Sequence, residues 1–443
     1  MTVSGRFVAL LALGVVPVVL LGGEAALAYA ALGAWVVLCL LLGAIDLVLA
    51  ASPRRVVLER SIPARVRLGA EAVSELVVTN TGRRTIRGTV RDAWEPSAGA
   101  TPTRQALHLP AGERRRLTVA LRPWRRGERR VAQVTVRVWG PLHFWARQAT
   151  LAVPGRIRVL PPFSSRKHLP SRLARLRELD GTTSVLLRGQ GTEFDSLREY
   201  VRGDDVRSID WRATARRHDP TGGSGARVMV RTWRPERDRR VVIVVDSART
   251  SAARIADEPR IDTAFEASLL LAALATRAGD RVDFLAYDRR VRGRVHGANG
   301  PELLSRMVDA MATIDPALIE MDWSAVPGQI AAMTSQRSLV VLVTSLDAPG
   351  GSRGLLAILP QLTRKHLVVV ASVTDPDTLV ATRQRGDRTE VYRAAAAERS
   401  LLDVSRVTAA VQRLGGDVVT GSPEDLPPAL SDRYLALKAA GRL

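Results

Sequence analysis

The chain has 443 residues, enough for two or three domains with cores of their own. Its one cysteine, Cys39, lies in an apolar run, which excludes an intramolecular disulfide and a thiolate metal cluster; the six histidines form no ligand pair at helical spacing. A net charge of +21 invites a nucleic-acid reading, yet Lys167, Lys365 and Lys438 are the only lysines, and so strong an arginine bias weakens any single Arg cluster as a phosphate site.

Two apolar runs come first, Phe7 to Gly23 and Ala25 to Ile45, separated by Glu24. Each is close to the ~20 residues that a spanning helix needs, the first being shorter and carrying Pro17. They predict a transmembrane helical hairpin over residues 1–52. The competing reading is a cleaved signal peptide, because Ala28-Tyr29-Ala30 resembles a cleavage site. Against it, Arg6 alone makes the charged leader and a second apolar run follows at once. Arg6 before the hairpin, and Arg54, Arg55 and Arg60 after it, place both termini in the cytoplasm, with Glu24 in the outer turn. Asp46, near the end of the second run, is expected to snorkel to the interface.

Residues 53–160 change to short alternating runs divided by Gly, Pro and Asn turns, which predict an immunoglobulin-like β-sandwich without its Cys-Trp-Cys hallmark. This segment is rich in arginine, with Arg114-Arg115-Arg116 and a run from Arg122 to Arg130. Attraction to an anionic membrane leaflet is one reading of it. Phosphate contact with Trp124 as a stacking platform is another, but no recognised nucleic-acid module is present and nucleic acid is not expected as a partner. Solvated strand faces in an Arg-rich chain explain the composition equally well.

A connector over 161–238 leads to residues 239–443, where strands and helices alternate. RRVVIVVD, RVDFLAY, SLVVLVTS, HLVVVASV and DVVTG are the strands, with helical segments between them. This rhythm predicts an α/β doubly wound, mostly parallel sheet whose site lies at the carboxyl ends of the strands. The first of those ends carries Asp246 and the hydroxyls just after it. No strand leads into GxGxxG, GxxxxGK[ST] or GxSxG, so dinucleotide, P-loop and α/β-hydrolase chemistry gain no support.

The connector contains YVRGDDVRSIDWRATARR, Tyr200 to Arg217. Asp204, Asp205 and Asp210 could serve a metal-dependent hydrolase or nuclease. Interleaved Arg202, Arg207, Arg212, Arg216 and Arg217 instead favour an ion-pair network that holds the carboxylates ionised. Ile209, Trp211 and Ala215 are apolar anchors, and an Arg- and Trp-rich segment has the composition of an interaction hot spot. The expectation is an ordered segment docked on the α/β domain and forming part of a partner surface.

The chain resembles the bacterial membrane proteins of domain-of-unknown-function family fifty-eight, in which the C-terminal half is von Willebrand factor A-like. Eleven positions carry the likeness: Phe194, Leu197, Arg198, Tyr200, Gly203, Asp204, Arg207, Ile209, Trp211, Ala215 and Arg216. The segment Gly140-Pro141-Leu142-His143-Phe144 adds to it. The resemblance implies a non-enzymatic, membrane-tethered adaptor whose α/β domain binds a protein, with a MoxR-type AAA+ ATPase the expected one. It also implies where a metal-ion-dependent adhesion site would lie. Asp246 and Thr250 are in place, but Ala248 replaces the middle serine, Met321 stands for the second-loop threonine and Ser345 for the third-loop aspartate unless Asp347 reaches back. That leaves few oxygen ligands for Mg²⁺, and no cofactor is expected.

Overall fold

The computed structural model describes residues 2–21, 23–186, 193–202, 204–216, 228–234, 239–346 and 349–443. The chain divides into two compact units, Met1–Pro162 and Phe163–Leu443.

In the first unit, β1 (Thr2–Val3) precedes α1 (Gly5–Ala12), α2 (Val15–Leu20) and the 25-residue α3 (Ala25–Leu49). Ser4 caps α1, its hydroxyl accepting from the Phe7 N–H at 3.3 Å. The break between α1 and α2 falls at Leu13-Gly14 because Pro17 has no N–H and its ring crowds the carbonyl of Leu13, four residues earlier. The Gly14 N–H turns to the Leu11 carbonyl, and the Trp35 indole donates to the Leu10 carbonyl at 3.1 Å in place of the lost helical bond. Gly14 is needed there, since a Cβ would come within 2.4 Å of the Trp35 ring. Among the described residues one helix, α3, is long and apolar enough to cross a membrane, within a stretch of mean hydropathy 2.5; the segment Gly5–Leu20 is apolar but shorter.

The β-sandwich is present. Its strands are β2 (Val56–Ser61), β3 (Arg65–Arg67), β4 (Ala72–Asn80), β5 (Ile86–Trp94), β6 (Ala100–Thr101), β7 (Arg104–Leu109), β8 (Arg114–Leu121), β9 (Gly127–Trp139) and β10 (Trp145–Leu160). One sheet has the order β1-β10-β9-β5-β7, with β3 parallel to β10, and the other β2-β4-β8-β6. Every second residue of β4 from Ala72 is buried, and Leu76, Val78 and Leu117 meet Ile86, Val134 and Val136 of the facing sheet. The sandwich therefore begins at residue 2 rather than 53: Thr2 pairs with Ala146 and Val3 with Trp145. Arg60, expected as a flanking charge, is instead buried and bidentate to Asp92 at 2.7 and 2.8 Å, with its guanidinium over the Trp94 ring.

Asp46 also departs from expectation. It is fully buried, and its carboxylate accepts the backbone N–H groups of Leu142, Phe144 and Trp145 at 2.7, 2.8 and 3.0 Å. His143, at φ +58°, supplies the left-handed step in the turn that presents these successive amides to one anion. Gly140 lets the turn close on the helix, because a Cβ would lie 2.2 Å from the Asp46 carbonyl oxygen. The end of α3 is thus bound to the hairpin between β9 and β10.

In the second unit a turn at Ser164–His168 leads to α4 (Leu169–Leu186), β11 (Glu193–Glu199), α5 (Trp211–Arg216) and β12 (Met229–Arg234). Next come β13 (Arg240–Asp246), β14 (Arg254–Ile255), β15 (Glu258–Pro259), α6 (Arg260–Arg277), β16 (Arg281–Tyr287), β17 (Val291–Val295), α7 (Gly300–Ala312), α8 (Val326–Ala331) and β18 (Leu339–Val343). The chain ends with α9 (Arg353–Thr363), β19 (Leu367–Val373), α10 (Pro376–Ala381), α11 (Arg388–Arg413), β20 (Asp417–Gly421) and α12 (Leu426–Ala439). The main sheet has the order β17-β16-β13-β18-β19-β20 and is parallel except for β17 at its edge. Every residue of β13 after Arg240 is buried, as its near-continuous apolar run requires. The sheet winds to one side of β13 through β16 and to the other through β18, so the switch point lies at the end of β13.

The connector is not a free-standing module. Glu266, buried on α6, accepts from the Ser164 N–H, the Ser164 hydroxyl and the Ser165 N–H at 3.1, 2.7 and 3.0 Å. Arg172 and Arg175 of α4 both reach Asp432 on α12. Residues 163–186 therefore pack into the α/β unit.

Candidate functional site

Two features of the second unit gather the residues singled out from the sequence. The first is the antiparallel pair β11–β12, with Glu199 opposite Met229, and the segment between its strands. Arg198 grips Asp204 in a bidentate pair at 2.6 and 2.7 Å, which raises the Arg198 pKa, and the Val201 N–H adds a third bond to Asp204 at 2.9 Å. The Asp205 side chain accepts from the Arg207 N–H at 3.0 Å in a local turn. Asp210 stands before α5 and accepts from the Ala213 N–H at 3.0 Å and from Arg231 of β12 at 2.8 Å. Those two donors, the backbone one first, hold its carboxyl below the usual aspartate range. The Tyr200 N–H donates to the Val228 carbonyl at 2.7 Å.

The three aspartates thus serve as separate fasteners of the segment rather than converging as a described acid cluster. Among the described residues these bonds join the segment to itself and to β12. Trp211 is 70% exposed, and Val201 and Val206 are exposed with it. Arg207 and Arg216 are exposed as well. Gly203 and Arg217 lie outside the described residues.

The second feature is the cleft at the switch point. Asp246 is buried; its Oδ1 accepts the Ala248 N–H at 2.8 Å, and its Oδ2 accepts the hydroxyls of Thr344 at 2.7 Å and Thr250 at 3.3 Å. Met321, Trp323, Ser345, Ser352 and Glu320 also line the cleft. The Glu320 carboxylate pairs with Arg249 at 2.5 Å. Ala248 and Met321 are where the sequence mapping set them, on the cleft wall without an oxygen side chain. Asp347 lies outside the described residues. Among the described residues no group of three or more His, Cys, Asp or Glu side chains could hold a metal ion.

Two residues escaped the sequence reading. Thr344 donates its hydroxyl to the Asp246 carboxylate at 2.7 Å, and its only sequence signal is a hydroxyl residue directly after the apolar run of β18. Asp288, one residue past β16, is fully buried and accepts from the Ser247 hydroxyl at 3.3 Å and from Arg292 at 2.5 Å. Burial works to raise its pKa but is outweighed by the Arg289 N–H and then Arg292, so the carboxyl is lowered. It fixes the loop after β16 beside the end of β13.

Uncharacterized proteins of Mycobacterium tuberculosis and Mycobacterium bovis are each 27% identical over 201 residues, which is 45% of this chain and 60% of theirs. The chain thus spans well under two thirds of the length of these curated relatives. Among solved structures, the SpRpn10 VWA domain is similar at 10% identity and TM-score 0.27, covering 45% of this chain and 94% of that domain. A CARDB domain from Pyrococcus furiosus is similar at 20% identity and TM-score 0.17, covering 23% of this chain and 93% of that one. Residues 196–381, which hold most of the β11–β12 segment and the Asp246 cleft, match the family described as "Protein of unknown function DUF58".

Proposed function

We propose that this chain is a non-enzymatic, membrane-tethered adaptor that binds a protein partner through its α/β unit. The observation that carries this reading is Trp211, 70% exposed beside exposed Val201 and Val206 on a segment held in place by ion pairs. A large aromatic presented on a pre-ordered support, ringed by arginine, is how interaction hot spots are built, because little conformational freedom is lost on binding. The Asp246 cleft is the second contact region. The tether is the apolar N-terminal segment, read as two spans with both termini cytoplasmic. Its support is that β1 and the end of α3 are both fastened to β10 or the turn before it, which returns the segment to the side it left. The partner implied by the family likeness is a MoxR-type AAA+ ATPase.

Affinity capture from solubilised membranes tests this. The expected result is recovery of an AAA+ ATPase with the wild-type chain and at least about ten-fold less with Trp211→Ala plus Val206→Asp, the loss of roughly one hot-spot residue. Equal recovery by the variant removes this surface from the reading, and no ATPase at all with wild type removes the partner.

A further inference from the structure

The arginines of the sandwich are not distributed evenly with respect to their partners. At the end where β8 meets β9, basic side chains are matched with acids: Arg122 with Glu71 at 2.8 Å, Arg129 with Glu95 at 3.4 Å, Arg130 with Glu128 at 2.7 Å and Arg158 with Glu128 at 3.5 Å. At the opposite end, where α3 passes into the sandwich, Arg6, Arg54, Arg55, Arg83 and Arg84 are all exposed, and among the described residues no ion pair joins any of them to an acid.

These five are held near the end of α3 by the fold. Arg84 donates to the Val48 carbonyl at 2.7 Å, so the guanidinium touches the last turn of the helix itself. Thr81 bonds the Arg55 carbonyl through both its N–H and its hydroxyl, at 3.0 and 2.7 Å. Asn80, 1% exposed, organises the loop that carries Arg83 and Arg84: its amide donates to the Arg84, Leu109 and Pro110 carbonyls and its oxygen accepts from the Gly82 N–H at 2.9 Å. Arg6 enters from the other side, on the first turn of α1, where Ser4 donates to the Phe144 carbonyl at 2.9 Å. Phe144 is in turn bound to Asp46, four residues before the helix cap. Five exposed arginines on fastened backbone thus stand at the end of the sandwich where an apolar helix ends, the depth at which lipid headgroups lie.

We propose that Arg6, Arg54, Arg55, Arg83 and Arg84 form a collar that grips the phosphates of acidic phospholipids in the leaflet adjoining the sandwich. Guanidinium suits this role, because its planar fork binds phosphate through paired hydrogen bonds. The collar rests on the reading of α3 as a membrane span. The Arg122–Arg130 run, the more conspicuous basic motif in the sequence, takes no part, since acids meet it at the far end.

The test is native mass spectrometry of the full chain in detergent, titrated with phosphatidylglycerol or phosphatidylcholine, after alkaline washing of the source membranes. Wild type is expected to retain phosphatidylglycerol over phosphatidylcholine by about ten-fold or more, given several basic groups at the surface. The variant R6Q/R54Q/R55Q/R83Q/R84Q should fall toward parity, while R122Q/R130Q/R158Q keeps the preference. Asn80→Ala, which leaves every arginine but frees their loop, should weaken it in part. No preference in wild type, a preference unchanged in the fivefold variant, or equal loss in the far-end variant overturns the collar alone. Release of the wild-type chain by the alkaline wash overturns the membrane reading and the collar together.

Discussion

Arg60 and Asp92 show how much a single side chain can depend on its partner. Both are almost fully buried, at 3% and 4% side-chain exposure, and the Trp94 indole donates a further bond to Asp92 at 3.0 Å. Removing one partner strands a buried charge, so Arg60→Met or Asp92→Leu alone is expected to cost about 3–5 kcal/mol of sandwich stability. The double variant should recover most of that loss, since two apolar residues of similar volume leave no charge to solvate. Chemical denaturation of the detergent-solubilised chain measures both, and a double variant as unstable as the singles would mean that the pair is needed for more than charge balance.

Glu258 gives the opposite kind of acid. Burial raises its carboxyl above the usual range, the Thr263 hydroxyl acts against this, and nearby Glu266 adds to the rise. The folded state therefore holds the proton more tightly than the unfolded one. The stability this contributes is complete below the ordinary glutamate value of about 4.3 and is lost as pH rises through the elevated pKa. Thermal melts from pH 4 upward should show a shallower decline for Glu258→Gln than for wild type.

At the scale of an element, the described part of residues 198–216 is held together, and to β12, by carboxylates. The lowered pKa of Asp210 reverses the dependence of Glu258: its contribution is present above the ordinary aspartate range and disappears as pH falls through the lowered value. Protection of the Ala213 amide against hydrogen exchange, relative to its intrinsic rate at each pH, is expected to persist at neutral pH and to fall only in strong acid. Asp210→Ala, which removes the acceptor, should lower the protection of the Ala213 amide at neutral pH, and unchanged protection would remove the cap from the account. The interleaving of Arg and Asp made paired carboxylates legible in the sequence but not their cations: Arg198 and Arg231 hold Asp204 and Asp210, where Arg202, Arg207, Arg212, Arg216 and Arg217 were the expected partners. Arg231 was hidden because it lies on β12, twenty-one residues from Asp210. Thr344 was hidden for a related reason, since its partner Asp246 is 98 positions away and only strand register brings them together. Asp246 itself was readable as the residue that ends a buried strand.

For the whole molecule, the order of apolar segment, β-sandwich and α/β unit comes from hydrophobic periodicity: runs near 20 residues, then alternation, then β-branched runs spaced by helices. The interlocking of the first two could not be read so directly. β1 is two residues long, too short to carry a pattern, and it exists because β10 offers it an edge. A disulfide between Thr2→Cys and Ala146→Cys, in a Cys39→Ser background, tests that pairing; formation under mild oxidation is expected, and its absence would detach the N-terminus from the sandwich.

The bond from Asp46 to the turn before β10 has a consequence for rotation. Because three amides hold one side chain rather than the helix as a whole, they fix which face of α3 points at the sandwich and how far the helix rises before meeting it. Each residue added to a helix turns the remainder of that helix by about 100° and lifts it by about 1.5 Å, so length in α3 is equivalent to azimuth. One alanine inserted between Leu42 and Gly43 would swing Asp46 and Gly43 out of phase with the upstream helix and Phe7, while seven, close to two full turns, would bring them back. The anchor is in this sense keyed as well as fastened: the sandwich meets the apolar helix at one angle, set by the count of residues before Asp46.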